Sequence, residues 1–185
     1  AETDGNGHLN NCLYLRWGQD LLPEDVDIAQ LQKLLTRLQK RFDYVLIDTP
    51  SGIGSLTRSL CAMADEIVLI TTMDDASQRG TERLSALLRE AQPEAVISLI
   101  VSRLLPAKRR QDDPEAAAAA LSGYLDLPLY AAIRLDDTIG SVDARKAAAQ
   151  AARSPQWLTA LEQAADRLCG SDTPLKQDRV RRKLW

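Results

Sequence analysis

The sequence predicts an α/β protein of three layers, a mostly parallel sheet with helices on both faces. Three observations lead there. Short runs rich in Val, Ile and Leu recur along the chain: YVLID (44–48), EIVLITT (66–72), AVISLIVS (95–102) and LYAAI (129–133). They are apolar at successive positions rather than alternating, which suits strands buried on both faces, as in parallel sheets. The stretches between them carry helical periodicity, and strands alternating with helices imply parallel pairing through crossovers.

In chain order, AETDGNGHLNN (1–11) is polar and rich in turn formers, and CLYL (12–15) reads as a short strand. PEDVDIAQLQKLLTRLQKRF (23–42) puts Ile28, Leu31, Leu34, Leu35 and Leu38 on one helical face, with acids early and bases late, as the helix dipole favours. YVLID follows, then a short helix over 55–64, the strand 66–72, and a helix over 77–91 with Leu84, Leu87 and Leu88 inward. After the strand 95–102 comes a polar loop, RLLPAKRRQDDPE (103–115), and a helix over 116–125. The strand 129–133 is followed by helices at about 138–152 and 155–169. Ser154-Pro155 supplies the last helix with an N-cap and a proline at its first position, and its Leu158, Leu161 and Leu168 are expected inside, with Trp157 in the core. Residues 1–170 read as one domain and 171–185 as a charged appendage.

Length and composition narrow the function classes. The chain has 185 residues, enough for one full-sized core, with 45% hydrophobic and 26% charged residues. A formal charge of -3 gives no reason to expect nucleic acid as partner. The basic cluster Lys108, Arg109 and Arg110 is followed at once by Asp112, Asp113 and Glu115, which cancel much of its field, so a solvated loop is expected. No apolar run approaches the length of a membrane span, and the polar stretch 1–11 does not read as a signal peptide. Cys12, Cys61 and Cys169 are odd in number and far apart, which fits a reducing cytoplasm better than a disulfide framework, and with the single His8 they make no zinc site.

The chemistry concentrates after YVLID. In open parallel sheets, ligands sit beyond the carboxyl ends of the strands. Asp48 ends such a strand, and Thr49, Pro50, Ser51, Gly52, Ile53 and Gly54 follow it. Two glycines permit close approach of backbone to a phosphate, and a carboxylate there can hold magnesium through a water. Asp48 is equally well read from this motif as a strand-end residue that caps the next helix.

FDYVLIDTPSGIG (42–54), ADEIVLITT (64–72) and SQRGTERL (77–84), in this order, resemble the MinD/ParA family of deviant P-loop ATPases, and most closely its MinD and FlhG branch. CLYLRWGQDLLPEDVDIAQLQKLL, LIVSRLLP (99–106) and LYAAIRLDDTIGSVDARK (129–146) continue the likeness to about residue 170. The resemblance implies a P-loop NTPase-like fold, ATP with magnesium, and a nucleotide-driven homodimer that works with a protein activator as a spatial regulator, for instance of cell division or flagellar placement. It makes Asp48 the Walker B-like carboxylate, catalytic and near magnesium. It makes Pro50, Ser51 and Gly52 the switch II loop that senses the γ-phosphate. It places Ser102, Arg103, Arg134 and Asp136 near the adenine. The iron–sulfur carriers of the same superfamily need paired cysteines that are absent here, and the related bacterial tyrosine kinases end in tyrosine clusters that this tail lacks.

The sequence also departs from the family. No G-K-[ST] of a phosphate loop occurs in these residues, and DGNGH (4–8) has neither lysine nor a preceding strand. In family terms the chain is incomplete at its N-terminus, so a truncated family member is expected, with little triphosphate affinity of its own. The alternative is a non-catalytic binding module that kept the sheet and lost the nucleotide site. Arg134 stands where the family has proline, and Ser102 where many members have asparagine. The tail LKQDRVRRKLW (175–185) carries five basic residues against one acidic. Family members end in a basic amphipathic helix, which implies peripheral contact of 175–185 with an anionic membrane surface at the inner face of the membrane. A solvated basic tail is the other reading.

Overall fold

The computed structural model describes residues 12–16, 28–49, 52–106, 113–136 and 154–170. The chain divides into two compact units, Ala1–Asp65 and Glu66–Trp185. The expected helix at about 138–152, the tail, His8, Trp17 and the Lys108–Arg110 cluster lie outside the described residues.

In the first unit, β1 (Cys12–Arg16) and β2 (Tyr44–Asp48) pair in parallel, in register from Cys12 opposite Tyr44 to Arg16 opposite Asp48. Between them runs α1 (Ile28–Gln39), and α2 (Ser55–Cys61) follows β2. Leu31 and Leu35 of α1 and Leu60 of α2 form the buried centre, with Leu38, Val45, Ile47, Leu56 and Met63 packed against it. Both helices thus meet the face of β2 that carries Val45 and Ile47. Tyr44 and Leu46, which alternate to the other face, are each 42% exposed. The expectation that this strand is buried on both faces is corrected: an unbroken apolar run signals two covered faces only where two layers are present. Ile28 and Leu34 of α1 are likewise exposed rather than inward.

The second unit is a parallel sheet of β3 (Glu66–Thr71), β4 (Val96–Leu104) and β5 (Leu129–Arg134), in the order β3-β4-β5. Helices α3 (Asp75–Ala91) and α4 (Pro114–Leu125) make the crossovers. Helix α5 (Pro155–Leu168) packs on β5. Ile100, Ala131 and Ile133 meet Ala160 and Ala164 of α5, with Val68, Tyr130 and Trp157 around them. On the other face, Ile67, Leu69, Ile97, Leu99 and Val101 are buried, and α3 and α4, which pack on the strands, bring Leu88, Ala118, Leu121 and Leu125. This unit realises the expected sheet with helices on both faces.

Three inward expectations change. Leu87 lies at the surface, and the buried stripe of α3 is Thr81, Ser85 and Leu88, one turn apart at each step. Helix α5 turns Ala160, Gln163 and Ala164 inward and leaves Leu158 and Leu161 exposed. Small residues facing the sheet let the helix approach closely, so the bulkier leucines fall on the outer side. Trp157 packs against the core, as expected. Ser154 is the N-cap and Pro155 the first helical residue, but the Ser154 side chain makes no capping hydrogen bond.

A polar network closes the amino end of this sheet. Ser98 Oγ, fully buried, donates to Glu66 Oε1 at 3.3 Å. Arg167 of α5 donates to the carbonyls of Leu129 and Tyr130 at 2.8 and 2.7 Å. Burial, and then the Glu66 carboxylate, push the Tyr130 hydroxyl pKa up.

Candidate functional site

Each unit presents its candidate residues at the carboxyl ends of its parallel strands, where an α/β sheet opens to ligands. In the first unit, Asp48 is the last residue of β2, opposite Arg16 of β1, and is exposed. Pro50 and Ser51 lie outside the described residues. Gly52 has φ +100°, a conformation that side-chain-bearing residues rarely adopt, and a Cβ built there would touch nothing within 4 Å. The turn therefore needs glycine for its backbone and not for space. Gly54 occupies the N-cap position of α2, six residues after Asp48.

In the second unit, the carboxyl end of β3 leads into a cap that the sequence reading missed. Asp74 precedes α3, and its Oδ1 accepts from the backbone N–H of Ser77 at 2.9 Å. Thr72 Oγ1 bonds both the Asp74 carboxylate and, at 2.9 Å, Ser77 Oγ. The Thr72 hydroxyl first, and then the Ser77 N–H, hold the Asp74 carboxyl well below the usual carboxylate range. The signal was available: an aspartate immediately before a helical periodic stretch is an N-cap pattern.

Next to it, the carboxyl ends of β4 and β5 gather Ser102, Arg103 and Arg134. Val101 pairs with Ala132 and Leu104 with Arg134, so β4 carries one residue more than β5 across this interval. Arg103 takes up the difference with φ 56°, a left-handed conformation unusual for a residue with a side chain. The N–H of Leu135 then bonds the Leu104 carbonyl at 2.8 Å and holds the exit of β5 beside the bulge. Asp136 follows two residues after Arg134. Arg134 is engaged by Glu115 in the first turn of α4, Nε to Oε1 at 2.6 Å. Glu115 was read from sequence only as part of a charge-cancelling run. No local pattern relates residues 19 positions apart across a crossover.

The residues fit a magnesium ion to a limited degree. An exposed carboxylate at a strand end suits an ion that keeps most of its waters. Among the described residues no group of three or more His, Cys, Asp or Glu could form a protein cage. No helix among the described residues is long and apolar enough to cross a membrane.

The fold and the placement of these residues define a class, the open parallel α/β proteins, here with an acidic side chain at a strand end of the first unit and basic side chains at the strand ends of the second. Comparison with known proteins narrows it. A family model described as an AAA domain matches residues 16–101. Septum site-determining protein MinD of Synechocystis sp. is 37% identical over 98 residues, 53% of this chain and 36% of that protein. A putative septum site-determining protein MinD of Guillardia theta is 30% identical over 129 residues, 70% of this chain and 47% of that protein. Among solved structures, the MinC:MinD cell division protein complex of Aquifex aeolicus superposes with a TM-score of 0.67 at 20% identity, covering 82% of this chain and 63% of the matched chain. MinD of Pyrococcus horikoshii complexed with Mg-ADP gives 0.58 at 23% identity, covering 77% and 56%. The chain is a relative of the MinD/ParA family of P-loop ATPases, and it spans less than half the length of these curated relatives.

Proposed function

We propose that this chain forms the magnesium-side and base-side parts of a MinD/ParA-type ATPase, a spatial regulator of the cell-division kind that ATP switches between states. The observation that carries the reading is Asp48. It is a carboxylate at the carboxyl end of a parallel strand, followed by a turn in which Gly52 takes a left-handed backbone. The MinD relatives and the Mg-ADP-bound neighbour support it. In this reading Asp48 is the catalytic and metal-side residue. Pro50, Ser51 and Gly52 form the γ-phosphate-sensing loop, and Ser102, Arg103, Arg134 and Asp136 border the base. Asp48 would hold magnesium through a water, and the bound ion would supply charge neutralisation on the phosphates, with the loop at Pro50, Ser51 and Gly52 placing the attacking water.

The regulator is cytoplasmic and pairs as a homodimer when ATP binds. It works with a protein partner, in this reading an activator; a solved neighbour of the same fold is a complex of MinD with a second protein, MinC. It meets an anionic membrane surface at the inner face through residues 175–185. Residues 171–185 serve as the appended contact segment.

The test is ATP turnover by the full-length protein with magnesium, with and without anionic vesicles. Asp48→Ala is expected to lower turnover by at least about 100-fold while leaving the fold intact by circular dichroism. Turnover unchanged by Asp48→Ala sinks the reading of that residue. Absence of saturable ATP binding by the wild-type protein favours the alternative, a binding module that retains the sheet without the chemistry.

A further inference from the structure

Glu115 reaches Arg134 from a helix whose start is fixed. Asp113 caps α4 by accepting from the Ala116 N–H at 3.0 Å, and Pro114 occupies the first helical position, which puts Glu115 in the first turn. A carboxylate there is favoured by the helix dipole. Ala118, Leu121 and Leu125 bury the inner face of the same helix, so Glu115 stands on a rigid element. Its partner is equally fixed. Arg134 is the last residue of β5, registered opposite Leu104 and followed by the 2.8 Å bond from Leu135 to Leu104. The two side chains are 23% and 32% exposed and meet at 2.6 Å, which is short for a charge-assisted hydrogen bond.

We propose that Glu115 is a positioning residue for the base end of the nucleotide site: its contact to Nε holds the Arg134 guanidinium in one plane at the exits of β4 and β5 and neutralises it, so this end of the sheet takes a planar aromatic ring rather than a phosphate. An arginine without a counter-charge at a strand exit is a phosphate ligand. One paired to a carboxylate has little net field, but it keeps a flat, weakly hydrated face that stacks on a heterocycle. Arg103, one residue from Leu104 on the neighbouring strand and displaced by its left-handed backbone, borders the same end. The inference rests on the proposed nucleotide site and assigns its base side a device that no motif in the sequence announces.

The experiment measures binding of ADP and of inorganic pyrophosphate, each with magnesium, to the full-length protein by calorimetry. Glu115→Gln, which removes the counter-charge, is expected to weaken ADP about tenfold, the size of one lost stacking contact, while pyrophosphate binds at least as tightly as to wild type. The charge-swapped double variant Glu115→Arg/Arg134→Glu separates positioning from simple bracing. The proposal expects it to recover the melting midpoint lost in Glu115→Gln but not the ADP affinity. A double variant that recovers both reduces Glu115 to a brace and overturns the proposal. So does an ADP affinity unchanged in Glu115→Gln. If the wild-type protein binds neither probe, the nucleotide reading itself falls and this inference falls with it. Wild-type binding with an indifferent Glu115→Gln removes the inference alone.

Discussion

Leu104 of β4 pairs with Arg134 of β5 although it lies three residues beyond Val101, whereas Arg134 lies only two beyond Ala132, the partner of Val101. The surplus residue is absorbed where Arg103 adopts φ 56°. A left-handed backbone costs a residue with a Cβ roughly 1–2 kcal/mol, and glycine avoids that cost. Glycine also gives back about 0.4–1 kcal/mol through the entropy of the unfolded chain. Arg103→Gly is therefore expected to leave stability within about 1 kcal/mol of wild type, on the stabilising side. Arg103→Ile, β-branched in a conformation that such residues avoid, is expected to lose about 1 kcal/mol or more. Urea denaturation of the two variants checks the bulge, and equal midpoints would show that the left-handed residue is not there in solution.

Gln163 offers a test on the side of the same sheet that α5 covers. It is buried in α5 between Ala160 and Ala164, and its Nε2 has no hydrogen-bond partner. A buried donor without an acceptor costs about 1–3 kcal/mol. Methionine has nearly the same length and volume and nothing to satisfy. Gln163→Met is expected to stabilise the protein by about 1 kcal/mol, read as a higher urea midpoint with an unchanged slope. A lower midpoint would mean that the amide is satisfied in solution, for example by a buried water.

The strand positions were legible because burial in a parallel sheet leaves runs such as EIVLI and VISLIV that no surface element needs. The faces were less legible. Leu46 and Ile70 look identical in sequence to Ile47 and Leu69, yet the first two are exposed and Leu69 is buried. What decides is whether a second layer lies over that face, and residues distant in sequence supply the layer. The helices show the same limit. Leu158 and Leu161 follow a helical period as well as Ala160 and Ala164 do, and only the closeness of α5 to β5 selects the alanines. At the candidate site, Asp48 and Gly52 could be read from the strand-then-glycine pattern. Glu115 could not, because its meaning depends on Arg134, which a crossover brings beside it.

Asp74 links the cap of α3 to pH. Its folded pKa is depressed, by the Thr72 hydroxyl first and then by the Ser77 N–H, below the ordinary value of about 3.9. A depressed carboxylate contributes stability that is fully present above the unfolded pKa and is lost as pH falls through the folded one. Asp74→Asn keeps a capping oxygen but removes the titration. The melting temperatures of wild type and variant should therefore differ by a constant amount from pH 8 down to about pH 5, and the gap should close as the pH drops below about 4. A gap that instead widens on acidification would mean that the carboxylate is not the favoured form in this cap.

Ile70 and Leu99 test the assignment of covered and open surface most directly. Both are large aliphatic residues within strands of the same sheet, one on β3 and one on β4. Leu99 is completely buried, on the face against which α3 and α4 pack, whereas Ile70 is 70% exposed. Truncating a fully enclosed leucine loses its transfer free energy and leaves a cavity, so Leu99→Ala is expected to cost about 2–5 kcal/mol. Ile70→Thr removes apolar surface that already faces solvent and keeps the β-branch that suits a strand, so its effect is expected within about 0.5 kcal/mol. Denaturant midpoints of the two variants decide the matter. A loss at Ile70 approaching that at Leu99 would show that this face of β3 is covered in the intact protein, and the cover would then have to come from a segment or partner not among the described residues.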